Sequence, residues 1–169
     1  MENLTNGQTK VRYAGFWLRF VAYIIDDIIM GFVGFLISLP FIGGIVFSAI
    51  GIGENTESTE NMVKGIAGIL GLVIGLTVVV AILGWLYFAL MESSKTQATL
   101  GKMALGLKVT DLEGNRISFA RATGRYFGKI ISGMIIYIGY ILAGLTEKKQ
   151  ALHDIMASCL VVRKNEAVS

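Results

Sequence analysis

The sequence predicts an all-α membrane protein: two transmembrane helices, a third helix that is broken or re-entrant, and a small cytoplasmic β-hairpin, forming one helical bundle. Hydrophobic residues make up 54% of the 169 residues and charged residues only 16%, whereas a soluble domain is typically about 25% charged. The mean hydropathy is +0.66. Two predominantly apolar stretches are long enough to cross a bilayer. Glycine, which membrane helices tolerate, occurs 21 times.

The first apolar stretch predicts a membrane span over residues 16–39. At 1.5 Å rise per residue, such a helix crosses a hydrocarbon core of about 30 Å. Residues 1–15 are polar and lack the pattern of a signal peptide, so we expect a cytoplasmic N-terminal segment. Pro40 is expected to close the span. Residues 41–53 are too short to cross alone, so they either lie at the interface or extend the first helix.

The second predicted span covers residues 65–91, which carry no charge. Trp85 and Tyr87 near its end suit the membrane–water boundary, where aromatic side chains are enriched. Gly71 and Gly75 have the G-x-x-x-G spacing that lets helix backbones approach closely. This segment therefore predicts a membrane helix that packs against another helix.

Residues 92–129 are basic, with seven Lys or Arg against three acids. Within them, residues 107–118 predict a β-hairpin, because the strand-favouring LKVTD is followed by a Glu-Gly-Asn turn and RIS. Ser118 is a suitable N-cap for a helix that follows. A basic stripe recurs every four residues along that helix: Arg121, Arg125 and Lys129.

The third span is predicted over residues 119–145, by joining the amphipathic helix to a short apolar stretch. Lys and Arg concentrate on the cytoplasmic side of membrane proteins, which places the N-terminus and residues 92–129 there and residues 41–62 outside. A single third crossing would put the basic C-terminal segment outside. We therefore favour a segment that is re-entrant or broken near Ser132-Gly133, which returns the C-terminus to the cytoplasm.

Two polar elements are expected after the third apolar stretch. Residues 146–157 predict a polar helix, and residues 158–164 predict a short strand. If this strand is cytoplasmic, it can pair with the LKVTD strand and cover an open sheet edge.

The first span contains charges that an apolar helix does not need. Arg19 and Asp26 lie seven residues apart on nearly the same helix face, roughly 10 Å apart along the axis. Asp26 and Asp27 fall about 15 Å from the start of the helix, near the bilayer centre. On insertion scales the two aspartates together cost roughly 5–7 kcal/mol. This helix therefore requires a partner helix, a cation or protons.

Two interpretations of these aspartates stay open. Acids inside a membrane are by default functional and mark ion or proton routes. Alternatively, Asp26 or Asp27 only holds the bundle together, with the basic stripe supplying the partner charge. Arg19 lies nearer the interface and can extend its guanidinium into it, so we favour a structural anchor for Arg19.

The sequence resembles the RDD family of small membrane proteins, which is named for one arginine and two aspartates in the first helix. The resemblance runs through YAGFWLRFVAYIIDDIIM, QATLGKMALGLKVTDLEGNRIS, RATGRYFGKIIS and KKQALHDIMASCLVVRK. It implies a membrane domain over residues 16–164, followed by a tail at residues 165–169. By position, the family-like polar residues are Arg19, Asp26, Asp27, Gln97, Gly101, Lys102, Gly106, Arg125, His153 and Asp154. The resemblance also implies transport, including sodium/proton exchange, and we expect a bacterial cell (inner) membrane.

Other motifs predict little chemistry. Lys102 either contacts the phosphates of anionic lipids at the cytoplasmic face or is a solvated charge. His153, beside Asp154, either relays protons near neutral pH or is a hydrogen-bonded structural residue. The single Cys159 is expected to pack in a core. We expect no metal, no cofactor, no nucleic acid partner and no enzyme activity, since no nucleophile with its base is present.

The preferred function is ion or proton-coupled transport of Na⁺ or H⁺, with Asp26 and Asp27 as the binding positions and Arg19 and Arg125 setting their charge. Three spans enclose a pathway poorly, so we expect a homo-oligomer in the lipid bilayer. The alternative is a non-transporting membrane scaffold or assembly factor. Supporting polar candidates are Tyr23, Gln97, Lys102, His153 and Asp154.

Overall fold

A computed structural model describes residues 12–54, 59–134 and 138–163 of the chain. The predicted tail at residues 165–169, and most of the predicted N-terminal segment, lie outside these residues. The elements in chain order are α1 (Phe16–Glu54), α2 (Thr59–Ser93), α3 (Leu100–Ala104), β1 (Leu107–Asp111), α4 (Phe119–Met134), α5 (Ile138–Leu145), α6 (Leu152–Met156) and β2 (Cys159–Arg163).

Two helices are apolar and long enough to cross a membrane, over Phe16–Ile52 and Thr59–Ser93. The most apolar stretch of each helix buries none of its residues inside the protein, so neither is the core helix of a soluble domain. Together with a small antiparallel sheet, these helices confirm the predicted class of an all-α membrane protein.

Both long helices extend beyond the ends predicted for the two spans. Pro40 does not close the first span, because α1 continues through it to Glu54. Membrane helices tolerate an internal proline, since neighbouring groups satisfy the backbone that it frees. Of the two possibilities for residues 41–53, extension of the first helix is the one observed. The second helix extends past the predicted 65–91 at both ends and so takes Glu92 into its last turn.

The chain divides into two compact units. The first unit takes in the chain up to Ile25 and from Phe88 onward, and the second is Asp26–Tyr87. Each long helix therefore contributes residues to both units.

In the second unit, glycines of the long helices lie against side chains of the opposite helix. A Cβ built on Gly75 would lie 3.6 Å from the Phe41 ring, as the predicted glycine spacing suggests, but nothing lies within 4 Å at Gly71. The tightest position is Gly65, where a Cβ would overlap the side chain of Ile52, and at Gly44 a Cβ would lie 3.0 Å from Leu72. Close approach of the helices thus involves glycines that the motif did not include.

The sheet of the first unit is antiparallel, with Leu107 opposite Arg163 and Asp111 opposite Cys159. The predicted pairing of the C-terminal strand with LKVTD is thereby confirmed. The N-terminal segment adds to the far side of β2, since Ala14 N donates to Val161 O at 2.8 Å.

The predicted local hairpin is wrong, because β1 pairs with β2 and not with residues 116–118. The turn itself forms: Asp111 Oδ1 accepts bonds from the backbone N–H of Glu113 and Asn115, and Gly114 has φ +88°. Past the turn, Arg116 Nε donates to the carbonyl of Ser93 at the end of α2. The turn therefore directs the chain toward α2 and α4 and does not return it along β1.

The predicted third span contains two described helices, and the residues between them lie outside the part of the chain that the structure describes; Ser132 and Gly133, where we expected the break, are helical. Ser118 caps α4, with Arg121 N donating to Ser118 Oγ at 3.2 Å. The helix α4 ends at Met134 and α5 begins at Ile138. The polar helix predicted over residues 146–157 is shorter, because only Leu152–Met156 is helical.

Candidate functional site

The first unit holds a group of charged side chains that are nearly or fully buried, which we call the charge network. Its members are Arg19 of α1, Glu92 of α2, Lys102 of α3, Arg125 and Lys129 of α4, and Asp154 of α6. Five helices thus meet through charged groups where a soluble domain has an apolar core.

Asp154 is the first acidic centre of the charge network and is fully buried. Its Oδ1 accepts a bond from Arg125 Nε at 2.7 Å, and its Oδ2 contacts Arg19 Nη1. Oδ2 also accepts a bond from the backbone N–H of Ala151 at 3.1 Å, at the start of α6. Burial alone raises the pKa of Asp154, but the charges of Arg125 and Arg19 outweigh it and hold that pKa well below its usual range. Asp154 is therefore a permanent anion.

Glu92 is the second acidic centre, with 1% of its surface exposed. Its Oε2 accepts a bond from Arg125 Nη1 at 2.6 Å, and its Oε1 accepts one from Lys102 Nζ at 2.6 Å. Lys129 Nζ lies 3.5 Å from Oε1. Arg125 thus joins both acids through one guanidinium, a use of its planar fork that a lysine cannot reproduce.

The side chain of Arg19 is fixed by hydrogen bonds to two backbone carbonyls, in addition to its contact with Asp154. Its Nε donates to Ala14 O at 2.8 Å, and its Nη2 donates to Lys149 O at 2.6 Å. Lys149 has φ +48°, an uncommon backbone conformation for a residue with a side chain. Arg19 therefore fixes the start of α1 to α6 and to the loop before it.

His153 lies against the charge network, with its Nδ1 3.4 Å from Ser132 Oγ. A Cβ on Gly128 would lie 3.1 Å from the His153 Cβ, so α4 and α6 approach closely here. Burial lowers the pKa of His153 to about 3. Because its imidazole is neutral across the physiological range, the packed structural interpretation is favoured over a relay near neutral pH.

Lys102, Gln97 and Cys159 serve the fold of the first unit. Lys102 is buried in the charge network and is therefore not the solvated charge that we considered. Gln97, at φ +54°, accepts a bond from Val109 N at 2.7 Å and donates from Nε2 to Val109 O at 3.2 Å. Gln97 thereby satisfies the edge of β1 opposite to β2. Cys159 is buried, and burial raises its pKa to about 11, as expected of a packing residue.

The second unit holds the intramembrane aspartate. Asp26 is only 1% exposed, and Tyr87 Oη donates to Asp26 Oδ1 at 2.8 Å. Tyr87 thus reaches from α2 to an acid of α1, which its predicted boundary position did not suggest. Asp27 is exposed on α1, about 100° around the helix from Asp26, and Tyr23, in the first unit, is also exposed.

The predicted site residues therefore separate into two places. Arg19 and Arg125, which we expected to set the charge of the aspartates, bind Asp154 within the first unit. Glu92 was missed, although it is the first charge after a long apolar run and directly precedes the basic segment. In the described part of the chain, no group of three or more His, Cys, Asp and Glu side chains is placed to hold a metal ion.

Comparisons with known proteins identify the family of this chain. The RDD family model matches residues 13–158. The chain is 42% identical over 153 residues to "Uncharacterized protein YxaI" of Bacillus subtilis (strain 168), covering 89% of this chain and 97% of that protein. It is 31% identical over 158 residues to "Uncharacterized membrane protein YteJ" of the same organism, covering 90% and 82%. No solved structure matches. The chain is a membrane protein and belongs to the RDD family.

Proposed function

We propose that this protein moves Na⁺ or protons across the membrane as a homo-oligomer, in the manner of a sodium/proton exchanger, with Asp26 as the principal binding group. The observation that carries the proposal is the nearly complete burial of Asp26, ten residues into an apolar helix, with the Tyr87 hydroxyl 2.8 Å from its carboxylate. Carboxylate and hydroxyl oxygens are hard ligands suited to hard cations, and the same carboxylate can take up a proton.

Asp27 supports an oligomeric form of the transporter. It is exposed on α1 in the same turn as Asp26. An aspartate facing lipid near the bilayer centre costs about 2.5–3.5 kcal/mol, which a neighbouring subunit removes by covering it. A second copy would also supply the walls of a pathway that two long helices enclose poorly. We propose that the N-terminus lies in the cytoplasm and that the membrane is a bacterial inner membrane.

The test is cation-driven proton flux in proteoliposomes, comparing wild type with Asp26→Asn and Tyr87→Phe. Asp26→Asn is expected to abolish flux, because the amide neither carries charge nor takes up a proton. Tyr87→Phe removes one hydrogen bond to a charged group, typically about 1.5–3 kcal/mol, and is expected to slow flux about tenfold or more. Both variants keep the size of the side chain, and the folding and insertion of each are measured before its flux is compared with wild type.

The matched control is Glu113→Gln, which removes one negative charge from an exposed turn outside the long helices. It is expected to leave flux unchanged at equal reconstitution. Flux that persists in Asp26→Asn, under sodium, potassium and proton gradients, contradicts the proposal.

A scaffold or assembly factor is the second candidate, and the charge network favours it. Arg125 bridges two buried acids that other cations also contact. Such a network serves to specify one arrangement of helices. If the protein is a scaffold, neither wild type nor any variant shows flux, and Asp26→Asn is expected to lower the protein level and the stability of the oligomer.

A further inference from the structure

Helix α4 is amphipathic in the opposite sense to a helix of a soluble protein. Its buried face carries small and polar residues, namely Ala122, Arg125, Gly128 and Ser132. Its exposed face carries large apolar residues: Phe119 at 40%, Phe127 at 50%, Ile130 at 51% and Ile131 at 43%. A soluble helix turns its apolar face to the core, so the outside of α4 requires an apolar cover.

The contacts between α4 and α2 show the direction in which α4 runs. Just before α4 begins, Arg116 Nε donates to the carbonyl of Ser93, the last residue of α2. Further along α4, the ring of Tyr126 lies 6.0 Å from the ring of Phe88. Phe88 and Ser93 are five residues apart, which is about 7.5 Å along the axis of α2. Helix α4 therefore runs back along the last turns of α2, away from the end of that helix.

At the level of Phe88, α2 itself faces the membrane. Phe88 and Leu90 belong to the uncharged stretch of residues 65–91, and Leu90 is 54% exposed on this membrane helix. The side of α2 that packs on α4 is thus level with a side that faces lipid. The membrane surface of α2 and the apolar face of α4 therefore lie at the same depth within the first unit.

The length of α4 decides how it uses the membrane. Its 16 residues cover about 24 Å at 1.5 Å per residue, which is less than a hydrocarbon core of about 30 Å. Helix α4 can therefore enter the bilayer beside the end of α2, but it cannot cross the bilayer by itself. Because a helix satisfies its own backbone hydrogen bonds, its outer face can contact hydrocarbon directly.

From this juxtaposition we propose that phospholipid acyl chains cover the outer face of α4, with Phe127, Ile130 and Ile131 in the hydrocarbon and Phe119 nearer the headgroups. Helix α4 enters the leaflet in which α2 ends and separates the charge network from the lipid on that side. A second copy of the chain is the other apolar cover for this face, and the test distinguishes the two. The inference is independent of the proposed transport function.

The test is spin labelling of the full chain in phosphatidylcholine vesicles. Cys159→Ala removes the native thiol, and Phe127→Cys or Ile131→Cys then introduces one label on α4. Collision rates of the label are measured with oxygen, which concentrates in hydrocarbon, and with a nickel chelate, which stays in water. Both labels are expected to collide severalfold more with oxygen than with the chelate. The ratio is expected to be larger at Ile131, because α4 runs deeper toward its end.

Two further labels calibrate the measurement. Leu90→Cys reports the lipid-facing side of α2, and Glu113→Cys reports the exposed turn outside the long helices. The two labels on α4 are expected to resemble Leu90→Cys. Ratios that match Glu113→Cys would place the face in water and overturn the proposal. Low collision rates with both reagents would place it under a second copy or another protein, and would overturn the proposal as well.

A measurement on wild type applies if the labelled variants fail to fold. Phosphatidylcholine with a photoreactive group in its acyl chain is cross-linked to the protein in vesicles, and the adducts are mapped by peptide sequencing. Adducts within residues 127–131 are expected, and adducts on the two long helices alone overturn the proposal. Since neither readout involves flux, a negative result here leaves the transport proposal standing, and persistent flux in Asp26→Asn leaves this one standing.

Discussion

Arg125 shows how a single side chain organises the first unit. Its guanidinium donates to Asp154 Oδ1 at 2.7 Å and to Glu92 Oε2 at 2.6 Å, with 2% of its side chain exposed. Both carboxylates favour the cationic form of the guanidinium, and arginine stays protonated in proteins, so Arg125 is charged throughout the physiological range. Lysine would supply the charge but not two bonds at a fixed angle.

His153 makes the stability of the first unit depend on pH. Its pKa is about 3 in the folded protein and about 6.5 in an unfolded chain. Below pH 6.5 the unfolded state binds a proton that the folded state does not, so stability is present above pH 6.5 and is lost as the pH falls. The loss amounts to about 2 kcal/mol between pH 7 and pH 5.

Thermal unfolding of the detergent-purified protein between pH 7 and pH 5 measures this effect. Wild type is expected to lose stability steadily, and His153→Gln is expected to flatten the profile, whatever its stability at pH 7. The test is specific because the chain has no other histidine. The groups that face His153 are Asp154, Arg125, Lys129 and Arg19, besides Ser132. A profile in His153→Gln as steep as in wild type contradicts the prediction.

At the scale of the elements, local sequence signals predicted correctly which turns and helix ends form. They did not predict which strands pair, because strand pairing depends on burial between residues far apart in the sequence. The N-cap at Ser118 and the turn after Asp111 were both correct, because each depends on a few neighbouring residues. The predicted hairpin partner of β1 was wrong, because β1 pairs with the distant strand β2, with which it is buried. The predicted basic stripe does not act as one surface. Arg125 and Lys129 belong to the charge network, whereas Arg121 is exposed.

The packing of the long helices in the second unit depends on Gly44. A Cβ there would lie 3.0 Å from Leu72, whereas nothing lies within 4 Å of a Cβ on the adjacent Gly43. Gly44→Val is therefore expected to destabilise the protein by about 1–3 kcal/mol through overpacking. Gly43→Val is the matched control and is expected to have little effect. Thermal unfolding in detergent measures both, and equal stabilities for the two variants would show that the helices do not approach closely at Gly44.

For the whole molecule, the sequence predicted the membrane class and the polar residues but not their grouping. Composition and two long, predominantly apolar runs are enough to place two helices in a bilayer. The grouping was missed because Arg19 and Asp26 lie close in sequence, yet Arg19 bonds to Asp154, 135 residues away. Glu92 was missed because its burial depends on Lys102 and Arg125, which come from later helices. Such contacts are properties of the packed fold and have no local signature.

The proposed oligomer predicts a specific role for Asp27. This aspartate is exposed on α1, next to Ile28, which is 68% exposed. If a second copy covers Asp27, then Asp27→Ala removes an interaction across the interface and shifts the protein toward smaller assemblies. The neighbouring Ile28→Ala is the control and is expected to change the assembly less, because packing against protein and packing against lipid differ little for an apolar side chain.

Subunit counting by single-molecule photobleaching in native membrane vesicles measures this distribution. If Asp27 instead faces lipid in a monomer, Asp27→Ala relieves the cost of about 2.5–3.5 kcal/mol for a central aspartate. The variant would then be better inserted and no smaller than wild type. The two arrangements thus predict opposite effects of one substitution, and unchanged subunit number with improved insertion would exclude Asp27 from an interface.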